Sequence, residues 1–440
     1  MNRNGTENEM RPGRDGALSP PFGGVWSPGL NWLAIGIPPV YERRMRSLLF
    51  VLAAGTIVLS GCSDRRYQAE SQVKAGVALM QQGDLDGATD DFDRALELDP
   101  QNADAYYYRG VVAGRLESWD KAVADLTKAI GLNSQYADAY FWRGAARQQQ
   151  GDLNGALADF NQIITLKPQF ARPYLDRGLV KSGMSNWDDA LADFNHCLKL
   201  DPRDPIAYYY RGVLEHRQGD LDKALADYTR AISIKLVRTN RFYAQVFERR
   251  GVLKLDRCDL DGALADLNQS VELLPRNAGS RVDRGVVNYL RHDPQAAIAD
   301  FEEAAELRFD HREYPRIFIW LARAEQADQR AAADRELDEY FSTHDNGTND
   351  WPFLVGHFLT GRLSQADLLK AADSPDAAAD NSETRQQRHC EAYFYVGTSH
   401  LLAGDRPAAK SFFQRCVATD VKTFYEFRMA RVRLAAMQKE

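Results

Sequence analysis

Six arginines each precede a glycine, and sixteen residues after each arginine stands an aspartate: Arg109 with Asp125, Arg143 with Asp159, Arg177 with Asp193, Arg211 with Asp227, Arg250 with Asp266, and Arg284 with Asp300. A catalytic or anion-binding role has no use for six equivalent copies. The spacing points instead to structural ion pairs between helices, largely out of water. Removing one partner of such a pair leaves a poorly solvated charge, which is costly. Other chemistry is not signalled. The chain holds no HExxH, no GxSxG, no phosphate-cradling glycine-rich loop and no CxxC pair. Its eight histidines are scattered. His196, His216 and His400 read as surface or packing residues, and His344 beside Asp345 as part of a polar loop rather than a metal site. No catalytic, cofactor-binding or metal residue is nominated, no cofactor is expected, and the chain is expected not to be an enzyme.

The elements that must position these pairs repeat. Glycines fall at Gly76, Gly110, Gly144, Gly178 and Gly212, each thirty-four residues after the last. Twelve residues beyond each lies an alanine (Ala88, Ala122, Ala156, Ala190, Ala224), and four beyond that a large apolar residue (Phe92, Leu126, Phe160, Phe194, Tyr228). Pro100, Pro168 and Pro202 close units. Two further units sit on Gly251 and Gly285, after a five-residue insertion near Leu236–Asn240. This is the period of the tetratricopeptide (TPR) repeat, two antiparallel helices per unit. A glycine inside a helix costs about 1 kcal/mol against alanine, so its return at one position calls for close helix–helix approach. Gly-Asp-Leu at Gly83, Gly151 and Gly219 marks the turn inside a unit: glycine ends one helix and aspartate caps the next. A single hairpin cannot bury its apolar face, so the fold class is an all-α, right-handed TPR α-solenoid. About seven regular repeats are expected, with an irregular helical C-terminal part holding one more TPR-like hairpin. The first unit has Ala75 in place of the arginine, and its Asp91 is expected to turn to Arg109.

Six segments follow: 1–44, a glycine- and proline-rich leader; 45–61, a signal peptide; 62–68, a lipidated tether; 69–311, the solenoid; 312–389, an irregular helical region; and 390–440, a hairpin with a capping helix. The signal peptide rests on Arg43-Arg44-Met45-Arg46, the apolar run from Leu48 to Leu59, and Leu59-Ser60-Gly61-Cys62. A basic start, a short apolar core and small residues before a cysteine form a bacterial lipoprotein lipobox. It implies cleavage before Cys62 and lipid on that residue. Multiple acyl chains anchor stably. Ser63 favours the outer membrane on its periplasmic side over retention at the inner membrane, which stays the alternative. Residues 1–44 fit a misplaced start before Met45; a long disordered leader is the competing reading. The net charge of −7 and the lack of a basic run argue against nucleic acid.

In a TPR solenoid the first helices line the concave face. Tyr107, Arg115, Phe141, Gln148 and Arg172 are expected there. Leu175, Tyr209, Val213, Arg217 and Glu248 complete the set. Tyr106, Tyr140, Tyr174 and Tyr208 read as core. For Tyr107, Phe141 and Tyr209 a partner groove and a solvated ridge fit equally. Tyr108, Trp142 and Asp176 stand where a chaperone-type carboxylate clamp would place asparagine, so that ligand is disfavoured. Lys235, Arg238 and Arg241 make the insertion either a solvated basic loop or a docking edge.

From 312 the strict period lapses. Tyr314–Tyr340 reads as two helices, Ser342–Asp350 as a loop, Trp351–Leu359 and Ser364–Ala372 as helices, and Ser374–Ser382 as a linker. A hairpin returns with Gly397, Ala409 and Phe413, and Phe424–Met437 reads as a capping helix. Trp351-Pro352, Gly361-Arg362-Leu363-Ser364, Cys390-Glu391-Ala392-Tyr393-Phe394-Tyr395-Val396-Gly397, Phe413 and Glu426 resemble the C-terminal part of NlpI-type TPR lipoproteins. With the lipobox and the repeats, the resemblance spans about 62–440. It implies an outer-membrane-anchored adaptor whose partners are peptidoglycan hydrolases and a C-terminal-processing protease.

Cys197 and Cys416 are expected as buried thiols and Cys258 as unpaired. Antiparallel geometry brings Cys390 near Cys416, and sequence alone does not fix whether they bond. The leading reading is a lipid-anchored periplasmic scaffold binding proteins in its groove, with homodimer formation a further expectation. A self-associating structural envelope lipoprotein is the first rival. An accessory enzyme subunit is the second, and it would need Trp351, His357 and Arg362 to meet.

Overall fold

The computed structural model of the protein describes residues 60–235, 239–307, 313–344, 350–373 and 382–438. The leader, the signal-peptide core, the Cys62 side chain, Arg238, Asp345 and most of the expected linker at 374–382 lie outside the described residues. The described part is an all-α TPR solenoid of twenty-one helices. It divides into two compact units, one ending at Ser134 and the other starting at Gln135.

The first unit holds two hairpins: α1 (Ser60–Gln82) with α2 (Leu85–Leu98), and α3 (Ala103–Arg115) with α4 (Trp119–Leu132). Residues 62–68, expected as a tether, are helical and continue directly into the first repeat. The second unit holds five regular hairpins. They are α5 (Ala137–Gln149) with α6 (Leu153–Leu166), α7 (Arg172–Gly183) with α8 (Trp187–Leu200), and α9 (Pro205–Gln218) with α10 (Leu221–Ser233). Then come α11 (Asn240–Asp256) with α12 (Leu260–Leu273), and α13 (Ala278–Leu290) with α14 (Pro294–Glu306). The rest of that unit is α15 (Glu313–Ala324), α16 (Arg330–His344), α17 (Trp351–Leu359), α18 (Gln365–Asp373), α19 (Ser382–Leu402), α20 (Arg406–Ala418) and α21 (Tyr425–Met437). Two expected boundaries shift. Helix α16 runs on through Ser342 to His344, where a loop was expected, and the Ser342 and Thr343 hydroxyls donate back to carbonyls four residues earlier. Helix α19 crosses the 389/390 boundary, so the last hairpin has a longer first arm.

Each hairpin closes on glycine. A Cβ added to Gly285 would lie 2.5 Å from the Phe301 ring, and one on Gly178 2.6 Å from Phe194. Those rings are essentially buried. Aspartate caps the second helix: the Asp84, Asp152 and Asp259 side chains accept from the backbone N–H groups of Gly87, Gly155 and Gly262 at 3.0, 2.9 and 3.0 Å. The turn residue before that cap has positive φ, whether glycine (Gly83, Gly151, Gly219) or not (Glu117, Ser185, Cys258, His292).

The six arginine–aspartate pairs join first and second helices of one hairpin, each through two nitrogens. In the first unit Arg109 Nε and Nη2 donate to Asp125 at 2.7 Å each. In the second unit Arg143 reaches Asp159 at 3.0 and 2.6 Å, and Arg177 reaches Asp193 at 2.9 and 2.5 Å. Arg211 reaches Asp227 at 2.6 and 2.7 Å, and Arg250 reaches Asp266 at 2.8 and 2.7 Å. Arg284 reaches Asp300 at 3.0 and 2.6 Å. In five of the pairs the third nitrogen, Nη1, crosses to the preceding hairpin of the same unit. It donates from Arg109 to Asp93, from Arg177 to Asn161, from Arg211 to Asn195, from Arg250 to Thr229 and from Arg284 to Asn268. Asp91 does not turn to Arg109; it pairs with Arg94 at 3.0 Å, one helical turn away, because Asp93 already holds that nitrogen.

The glycine contacts set a sign test. Gly285→Ala should destabilise by about 1–3 kcal/mol, the usual cost of overpacking. Gly131→Ala, in α4 with nothing within 4 Å of the added carbon, should stabilise by about 0.5–1 kcal/mol. Chemical denaturation measures both; effects of the same sign would refute the close-approach account.

Candidate protein-binding face

The first helices of the hairpins build one face of each unit. In the first unit Tyr107 and Arg115 lie on α3, both half-buried. The Tyr107 ring meets Tyr108 edge-on at 4.9 Å. Arg115 Nη1 donates to the Met80 carbonyl of α1 at 3.3 Å. Its Nε is shielded from solvent with no acceptor.

In the second unit Phe141, Gln148 and Arg172 are half-buried and Arg217 is exposed. Arg172 pairs with Asp176 at 2.8 Å and lies 5.9 Å over the Phe141 ring. Burial pushes the Asp176 carboxyl up despite that partner. Arg217 covers Trp187 at 4.1 Å. Two expected lining residues are not on the surface. Leu175 is fully buried, in a cluster with Ala207 and Leu214 of α9. Tyr209 is 9% exposed and packs on Tyr228 at 6.2 Å and Phe242 at 5.8 Å. The physical reason is the same for both: these side chains wedge between one first helix and the next. Glu248 is also spent inside the stack, accepting from Asn277 at 2.7 Å and Ser280 at 2.5 Å. Val213 is half-buried beside Tyr209.

The C-terminal helix occupies the same face further along. From α21, Arg428 reaches Asp256 of α11 at 2.9 Å, a residue 172 positions earlier. His216 Nε2 lies 2.9 Å from the other oxygen of Asp256. Burial raises the Asp256 carboxyl, but His216 and Arg428 together hold it below its usual range. Arg433 of α21 pairs with Glu325 and lies 5.0 Å over Tyr289 of α13, whose hydroxyl donates to Glu325 at 2.6 Å. Tyr425 meets Phe318 of α15 edge-on at 5.7 Å. Beneath, burial and the nearby Glu248 charge push the Asp283 carboxyl up to about 7. The first-helix face of the sixth and seventh hairpins is thus covered by the chain itself.

Nearby lies a buried polar cluster. Tyr314 donates to Glu391 at 2.9 Å and Tyr395 to Glu426 at 2.7 Å. Both carboxyls are 3% exposed. Burial pushes both up, and the charge of Glu426 raises Glu391 further. Cys390 and Cys416 are free buried thiols with sulfurs 3.5 Å apart. Cys197 is a buried thiol pushed up by burial to about 12, and Cys258 is an exposed free thiol. Trp351, His357 and Arg362 are each engaged elsewhere: Arg388 lies over Trp351, His357 against Phe341, and Arg362 pairs with Asp338.

Models of the TPR repeat match residues 76–116 and 115–151, and models of the tetratricopeptide repeat match 137–170 and 175–236. The chain contains TPR repeats. Solved structures are similar to parts of the chain. A tetratricopeptide repeat protein from Parabacteroides merdae ATCC 43184 is 20% identical, covering 58% of this chain and 99% of its own, with a TM-score of 0.45. Pseudomonas aeruginosa pilF is 22% identical, covering 50% and 97%, with a TM-score of 0.44. YrrB, described as a TPR protein with an unusual peptide-binding site, is 20% identical, covering 43% and 95%, with a TM-score of 0.36.

Glu391 gives a pH test. Its folded-state pKa lies well above the ordinary 4.5. Its stabilising contribution is therefore full below about pH 4.5 and is lost as pH rises through the raised value. Glu391→Gln keeps an acceptor for Tyr314 and removes that titration. It should stabilise the protein by about 1–3 kcal/mol at pH 8 and change little at pH 4. Thermal melts at both pH values decide; an equal shift at both would show that the carboxyl does not titrate as described.

Proposed function

We propose that this protein is a lipid-anchored scaffold that docks other proteins on the first-helix face of its TPR repeats. The observation that carries the reading is the make-up of that face where the chain's own helix does not cover it. In the first unit that face carries Tyr107 and Arg115, an aromatic and a basic side chain; in the second it carries Phe141, Gln148 and Arg172, an aromatic, an amide and a basic one. Aromatic and arginine side chains are the usual anchors of protein interfaces.

The anchor rests on sequence. The lipobox ending at Cys62 supports lipidation, and Ser63 supports the periplasmic face of the outer membrane. No described helix is long and apolar enough to cross a membrane. Following the resemblance of the tail, envelope hydrolases or a processing protease are the partners of choice, with homodimer formation alongside. On this reading the repeats bring partners together at the membrane surface, and the partners carry the chemistry.

Crosslinked pull-down from membranes tests the proposal. The comparison is wild type, Cys62→Ser, and Tyr107→Ala combined with Phe141→Ala. Cys62→Ser should move the chain from the membrane pellet to the soluble fraction. The double variant should lose co-purified proteins about tenfold, a loss of 1.4 kcal/mol. Recovery of the protein alone, with the double variant behaving like wild type, would replace the scaffold by self-association.

A further inference from the structure

Two cysteines face one another inside the last hairpin. Cys390 of α19 and Cys416 of α20 are both closed to solvent, with sulfurs 3.5 Å apart. Cys390 stands seven residues before Gly397 and Cys416 nineteen after it. Counted from the glycine of other hairpins, the same two places hold Ala69 and Ala95, Ala103 and Ala129, and Ala278 and Ala304. In the sixth hairpin they hold Ala244 and Ser270, and there they touch: Ser270 Oγ donates to the Ala244 carbonyl at 2.8 Å. In the fourth hairpin a single cysteine, Cys197, stands opposite Ala171 and serves as a small buried packing residue. Among the hairpins built on this glycine, the last alone carries a thiol at both places.

That juxtaposition has a covalent option. From 3.5 Å, the bond length of about 2.0 Å is reached by about 1.5 Å of approach, shared between two side chains. The pair lies beneath the capping helix, with Cys416 Sγ 3.7 Å from the Glu426 carbonyl of α21. Burial also pushes the Cys416 thiol far up, so the folded chain holds almost none of the thiolate that exchange requires.

We propose that Cys390 and Cys416 form a disulfide when the chain folds in an oxidising compartment, and that the bond staples α19 to α20 beneath α21. The oxidant is a second disulfide, carried by a thiol oxidoreductase or by a small molecule such as oxidised glutathione. The thiolate of one cysteine attacks it, forming a mixed disulfide and expelling one thiol. The other cysteine's thiolate attacks the protein sulfur, closes the bond and expels the second thiol. The pair gives up two protons and two electrons, and the oxidant's disulfide takes up both. The step belongs to folding, before α21 closes over the sulfurs, and the finished bond is shielded from reductants. The periplasmic placement proposed above supplies such a compartment, and to that extent the inference rests on that reading.

The test uses the full chain. It is unfolded in urea with reductant, freed of reductant and refolded with a mixture of oxidised and reduced glutathione. Free thiols are then blocked with N-ethylmaleimide in urea, and the peptides are mapped by mass. The peptides of Cys390 and Cys416 should be joined, while Cys197 and Cys258 carry the label. The oxidised chain should melt about 5 °C or more above the same chain refolded in reductant. Cys390→Ala combined with Cys416→Ala copies the pair of the second hairpin and should melt alike under both conditions. The same mapping is made on chain taken from membranes and quenched in acid.

Labelled Cys390 and Cys416 in both the refolded and the membrane-derived chain overturn the proposal and leave the scaffold standing. A joined pair whose melting temperature equals that of the reduced chain overturns the staple. A pair that joins on refolding but is labelled in chain from membranes upholds the disulfide geometry and overturns the periplasmic placement instead.

Discussion

The guanidinium bridge between the helices of each hairpin is the interaction on which the stack depends. Arginine and glycine are adjacent on the first helix; aspartate and a large apolar residue are adjacent on the second. Arg143 meets Asp159 while Gly144 receives the ring of Phe160, at one level of one hairpin. The polar and apolar locks therefore share a register, and neither can slide without the other. Burying an ion pair gives little net stability by itself. Its value here is geometric: a planar fork fits a carboxylate in one orientation. In five of the six bridges the guanidinium also lies over a ring three residues earlier, as Arg143 over Tyr140 at 5.4 Å and Arg211 over Tyr208 at 5.4 Å. The remaining nitrogen then ties one hairpin to the one before, so the same side chain sets both the angle within a repeat and the spacing between repeats of a unit.

The acid end of the bridge varies, and the variation has a physical consequence. Three residues after the glycine, a second donor reaches the aspartate in most hairpins of the second unit. Arg147 serves Asp159 at 2.9 Å, Lys181 serves Asp193 at 2.9 Å, Lys254 serves Asp266 at 2.8 Å, and Asn288 serves Asp300 at 3.1 Å. In the fifth hairpin that place belongs to Glu215. Two carboxyls then share one arginine. Burial and the charge of Asp227 push Glu215 up to about 7. The fifth hairpin is thus the one whose bridge carries a proton near neutrality, and it sits next to His216, which helps hold the covering helix through Asp256.

The repeats were legible because a short period leaves its trace at every copy. Glycine, alanine and ring positions recur, and each has one steric reason. The bridge was legible too, since a charge that returns at a core position must find an opposite charge nearby. Depth on the binding face was not. Leu175 and Tyr209 point from the first helix at the same angle as Phe141, yet they are buried, because burial there depends on the side chains of the next hairpin. Ala207 gives Leu175 room, and Phe242 closes over Tyr209. Asp91 misled for a related reason. An acid whose hairpin has Ala75 in place of the bridging arginine pairs with its neighbour Arg94 instead, and Arg109 reaches Asp93. The return of α21 to Asp256 had no periodic signal at all, since one contact across 172 residues leaves no pattern in the chain.

That returning helix shows what the face of the second unit accepts. Its residues arrive as cations and rings between carboxyls: Arg428 to Asp256, Arg433 to Glu325, Tyr425 against Phe318. In this part of the stack the acids belong to the groove and the arginines to the occupant. In the first unit the first-helix face carries a cation, Arg115, whose Nη1 donates to the Met80 carbonyl. A repeat array can hold both polarities because each hairpin fixes its backbone through the same buried bridge and leaves the first-helix surface free to differ. Composition of the whole chain, net acidic, hides this. What seats α21 is local: Arg428 and Arg433 each meet a carboxyl already in place, Asp256 and Glu325.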